Sequence, residues 1–104
     1  LGKIFTTSEQ MYSFDQILNS LEISSMKKMQ IRKEKVKIPF LYQNLKDKIK
    51  SQITAASLLD IPDSEALKIL INLAKDIRSD FNEELSWALA IECYCELGEE
   101  LYDS

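Results

Sequence analysis

Residues 80–102 read DFNEELSWALAIECYCELGEELY, and this stretch decides the fold. It holds no proline and a single glycine, Gly98, so nothing stops a helix from running its full length. Ser79-Asp80-Phe81-Asn82-Glu83 opens it in the manner of a capping box, with Asp80 as the cap and Glu83 reaching back from the third position. Leu85-Ser86-Trp87-Ala88-Leu89-Ala90-Ile91 is apolar on almost every side. A helix that is apolar all round is buried all round, so the final helix belongs in the middle of a bundle or under a surface covered by another chain.

Upstream the same periodicity recurs. Leu67, Leu70, Ile71, Ala74 and Ile77 make one stripe of a helix that begins after Asp60-Ile61-Pro62, with Asp63 as its expected cap and Arg78 in its last turn. Leu41, Leu45, Ile49, Ile53 and Ala56 recur close to every fourth residue and predict a helix from Pro39 to about Leu58. Thr6-Thr7-Ser8-Glu9 is a second capping box, and Met11, Phe14, Leu18 and Leu21 continue it as a first helix to about Glu22. Residues 24–39 fit least well, because Met26, Met29 and Val36 stand among Lys and Arg without an obvious stripe. Val36-Lys37-Ile38-Pro39-Phe40 alternates like an extended strap, so a short helix followed by a Lys-rich linker is the expectation. The chain therefore reads as a single all-α domain over 1–104, an antiparallel bundle of four to five helices with an irregular basic segment at about 24–39.

Composition agrees and narrows the function. The 104 residues are enough for one core, and only two Gly and two Pro occur, too few to turn the many strands of an all-β domain. Histidine is absent, which removes Ser-His-Asp triads, histidine-bearing zinc sites and Glu-x-x-His di-iron sites. Cys93 and Cys95 lie about 200° apart on a helix of 3.6 residues per turn, so they do not converge on one metal and read as buried free thiols of a reducing compartment. No Gly-rich phosphate loop and no nucleophile beside a recognisable base appears, so neither enzyme activity nor a cofactor or metal is expected. The opening residues lack the apolar core of a signal peptide and no stretch reaches the length of a membrane span, pointing to a cytoplasmic protein.

The charge is uneven. The formal net charge is −4, yet residues 1–52 carry 10 basic and 5 acidic side chains and residues 53–104 carry 3 and 12. Halves of opposite sign in one small bundle are expected to fold together and neutralise each other in part. Within the final helix Glu92, Glu96, Glu99, Glu100 and Asp103 run down one face toward the tail, and with Trp87 as an aromatic anchor they form the candidate partner-binding surface.

The function expected is thus non-enzymatic protein binding, with a basic surface on the partner. In outline such a bundle resembles the small helical bacteriocin immunity proteins, which implies a masking or inhibitory role without assigning site residues. Two alternatives stand beside it: a structural subunit or homodimer packing through Leu85–Ile91, and nucleic-acid binding through the basic segment 27–50. The sequence pI of about 4.8 and the absence of any aromatic residue between Leu21 and Pro39 weigh against nucleic acid.

Overall fold

The computed structural model describes residues 14–58 and 60–103, the last three of these as backbone only. It is an all-α bundle: α1 Phe14–Ser20, α2 Ser25–Lys37, α3 Gln43–Ser51, α4 Asp63–Ile77 and α5 Glu83–Asp103, with no strand among the described residues. A π-turn over Ile38–Tyr42 joins α2 to α3, and a 3-10 turn over Ala55–Leu58 lies between α3 and α4. The Thr6–Glu9 capping box and Met11 fall outside the described residues.

α5 is the axis of the bundle. Leu85, Ala88, Leu89, Ala90, Ile91, Cys93, Tyr94 and Leu97 are all buried, and α4 and α2 pack along it most extensively. Its apolar waist is covered by this chain's own helices, except that Trp87 is only partly buried. Ion pairs and one hydrogen bond fix the directions of the rods. Lys27 pairs with Glu83, Lys46 with Glu96 and Lys50 with Glu100, so α2 and α3 run alongside α5 in the same sense. Tyr94, far along α5, donates its hydroxyl to Asp63 at the start of α4, so α4 runs back against α5. The short connection 78–82 leaves α4 and α5 no other arrangement than antiparallel neighbours.

Several local expectations are corrected. Residues 24–39 are not a strap: Ser24 caps α2 by accepting the Lys27 amide at 3.2 Å, and the helix continues to Lys37. The physical reason is that Ile31 and Ile38, about two turns apart, are fully buried and pin one side of the helix to the core. Pro39 does not begin a new helix either. It lacks the amide that would bond the Lys35 carbonyl, and the Ile38 amide takes that carbonyl instead. The chain then widens into a π-turn around the proline ring and re-enters regular helix at Gln43.

The caps of the last two helices shift as well. Pro62, not Asp63, precedes α4, and its carbonyl accepts the amides of Glu65 and Ala66. Asn82, not Asp80, caps α5, its side-chain oxygen accepting the Leu85 amide at 2.7 Å. Asp80 is instead gripped by Arg78, whose Nε and Nη2 donate to the two carboxylate oxygens at 3.1 and 2.8 Å. Arg78 lies past the end of α4, where its guanidinium sits 4.6 Å from the Phe81 ring centre.

Candidate interaction surfaces

The acidic end of α5 is partly spent inside the molecule. Glu96 receives Lys46 at 2.9 Å and Lys50 at 3.5 Å, and Lys50 also reaches Glu100 at 3.1 Å. Burial alone would push the Lys50 ammonium down, but the Glu100 and Glu96 carboxylates outweigh it and hold the group above its ordinary range. Neutralisation of this face comes largely from α3; from residues 27–37, Lys35 acts on Glu92 and Lys27 pairs with Glu83 at 2.9 Å. Lys27 thereby holds the Glu83 carboxyl below its ordinary value, helped by a hydrogen bond from Trp87. Lys35 lies 4.8 Å from the Phe14 ring centre.

The predicted partner residues scatter accordingly. Glu92 is half-buried, and that burial raises its carboxyl against the pull of Lys35 and Lys46. Trp87 is partly buried against the core. Glu99 and Glu100 are exposed, and the Asp103 side chain lies outside the described residues. The basic segment is similarly engaged: Lys27, Arg32, Lys46 and Lys50 each meet a carboxylate, which takes four cations away from the surface a nucleic acid would need. Cys93 and Cys95 are buried and their thiols are pushed up to about 12, desolvation being the main cause. Among the described residues no cluster of three or more His, Cys, Asp or Glu is placed to hold a metal ion, and no helix is long and apolar enough to cross a membrane.

A different surface stands out. Met26, Met29, Val36, Phe40 and Leu41 are 71%, 54%, 65%, 81% and 69% exposed, the large hydrophobic side chains most open to solvent among the described residues. Met26, Met29, Lys33, Val36 and Phe40 are spaced 3, 4, 3, 4, which places them in one row on the side of α2 opposite buried Ile31 and Ile38. The helix is therefore two-sided. One apolar row fills the core and the other faces water, and this is why no single stripe is visible in the sequence: the two rows cancel when averaged around the axis. The heptad spacing was the signal that could have revealed it. Leu41, the residue after Phe40, lines a groove with Leu45, Ile77, Lys48 and Arg78.

No family model matches the chain, and no solved structure matches it. Among curated proteins it is similar to the "Lamassu protein LmuA" of a Bacillus species, 41% identical over 100 residues that make up 95% of this chain and 32% of the relative. The chain spans about a third of the length of the curated relative it matches.

Proposed function

We propose that this chain is a non-enzymatic protein-binding segment, serving in the setting of an LmuA-type protein and acting through the outward face of α2. The observation that carries this reading is the exposed row Met26, Met29, Val36 and Phe40 on a helix whose other side is locked into the core. With Leu41 each of these side chains is more than half exposed, and exposed apolar surface of this kind marks interaction sites. The likeness to a third of LmuA supports a part played within a longer protein. Chemistry is poorly served: both thiols are held protonated by burial.

A second contact, by which the chain would mask a basic partner as an inhibitor or immunity-type protein does, uses the tail of α5. The exposure of Glu99 and Glu100 favours it.

A photo-crosslinking amino acid placed at Phe40, in the full-length protein in its producing cells, tests the principal reading, with exposed Lys68 on α4 as the control position. Adducts to protein from position 40 that are absent at 68 and vanish with Val36→Glu are the expected result. Equal adducts at both positions, or none at 40, overturn it.

A further inference from the structure

We infer that the α2 face takes an acidic amphipathic helix, docked as a short two-stranded coil; this rests on the reading of that face as a binding surface and adds the chemistry of its partner. Three features select this occupant. The first is spacing: Met26, Met29, Lys33 and Val36 follow the alternating three- and four-residue steps of a coiled-coil seam over ~15 Å of α2, and Phe40 keeps the spacing into the π-turn. An apolar surface laid out with that repeat is matched by a second helix with the same repeat, whereas a strand, with its period of two, would meet only alternate members.

The second feature is charge. Lys33 occupies the centre of the seam, and the flanking positions on the docking side are Gln30 and Lys37 on one edge, Arg32 and Pro39 on the other. None is acidic. Arg32 reaches away to Asp15 and Asn19, while Lys37 is drawn toward Glu34 at 3.3 Å with half of its side chain still exposed. The groove beside Leu41 adds Lys48, whereas its Arg78 is already held by Asp80. Flanking charges set partner choice in paired helices, so the fitting partner carries Asp or Glu along the Lys37 edge and opposite Lys33.

The third feature excludes a second copy as the better occupant. In a parallel pair of identical helices Lys33 would face Lys33 at the centre of the seam; in an antiparallel pair Lys37 would stand along the same edge as its copy. Either way like charges are brought together with no acid among the flanking positions to offset them. Glu83 and Glu84 stand near the Met26 end, and Glu83 is already met by Lys27, so the partner's acidic residues belong toward Lys33, Lys37 and Lys48.

The test uses the intact chain and two fluorescein-labelled helical peptides of three heptads. Both carry Leu and Ile along the seam except at the position opposite Lys33; one has Glu there and at the flanking positions, and the other Lys. Fluorescence anisotropy is expected to show binding of the acidic peptide that weakens at least tenfold with Val36→Glu and falls as salt is raised, and no binding of the basic one. The charge-reversed double variant Lys33→Glu/Lys37→Glu is expected to exchange the preference. These substitutions sit on exposed positions, and circular dichroism verifies that each variant stays folded. Indifference to peptide charge, or an unchanged preference after reversal, overturns the inference. So does a self-associated chain in sedimentation that Val36→Glu dissociates, since that assigns the seam to a second copy. Crosslinks from position 40 alongside a failed acidic peptide would leave the binding surface standing and remove only its proposed partner chemistry.

Discussion

Lys46 Nζ stands 2.9 Å from Glu96 Oε2 across the contact between α3 and α5, and only 8% of Lys46 is exposed. The approach is close in distance but not aligned as a hydrogen bond, so that oxygen has a counter-charge and no directed donor. Removing the cation strands a partly buried carboxylate. Lys46→Ala is expected to lower stability by ~2 kcal/mol, less than for a fully buried pair because Glu96 keeps some solvent and Lys50. The pair Lys46→Met/Glu96→Gln should recover more than half of that loss in urea unfolding. Simple additivity of Lys46→Met and Glu96→Gln, each made alone, would show that the contact carries no coupling.

The cap of α5 separates local pattern from observed geometry. Asn82→Ala is expected to cost ~1 kcal/mol, because the Leu85 amide loses its acceptor. Asp80→Ala, which removes only an exposed partner of Arg78, should move the denaturant midpoint much less. The reverse ranking would restore Asp80 as the cap.

α2 is two-sided, and its two rows should answer differently to substitution. Ile31→Ala removes a fully buried side chain and is expected to cost ~2–4 kcal/mol. Met29→Glu, on the exposed row, should stay within about 0.5 kcal/mol of the parent. A large loss from Met29→Glu in thermal unfolding would mean that this row is covered within the folded chain.

Glu92 supplies a pH dependence of opposite sign to that of the paired acids. Its carboxyl is raised by burial, so the folded state binds its proton more readily than the unfolded one. The stability this contributes is present below the unfolded value of 4.5 and is lost as pH rises through the folded value. Glu92→Gln is therefore expected to stabilise the protein at neutral pH, with the gain disappearing below about pH 4.5. Glu83 behaves the other way: held low by Lys27, it contributes above its unfolded value and loses that contribution as pH falls. Unfolding curves at pH 4 and pH 7 for the Gln variant decide the first point; an equal effect at both would exclude ionisation as its cause.

Cys93 and Cys95 should resist thiol reagents. Both are buried and raised to about 12, so at pH 8 little thiolate exists and the reagent cannot reach it. Modification by a maleimide is expected to run at least ~1000-fold slower than in denaturant and to track global unfolding. Fast labelling of the native protein would show that α5 opens locally.

Much of the architecture was legible because it follows from short-range rules. The wholly apolar centre of α5, the single stripe of α4 with its rim of polar residues, and the poverty of Gly and Pro point to buried and half-buried helices in one bundle, and the structure has them. So too the opposite charges of the two halves, which meet as Lys27 with Glu83 and Lys50 with Glu100. Residues 24–42 were not legible in this way. Periodicity reports one wet and one dry side, and a helix apolar on both sides gives no net direction until the core claims one of them. Ile31 and Ile38 were claimed; Met26, Met29, Val36 and Phe40 were left outside. Pro39 argued locally for a break, but packing on either side holds the helix through it and the π-turn absorbs the missing amide.

The candidate site divides along the same line. From its residues alone this protein is an all-α, histidine-free bundle with charge sorted by halves, because composition and spacing act through the local chain and need no partner in space. Which lysines neutralise Glu96, which residue caps α5, and which apolar row is left for something else to cover depended on how the helices came together. Only tertiary contact determines which of several equally plausible neighbours excludes water from a given face.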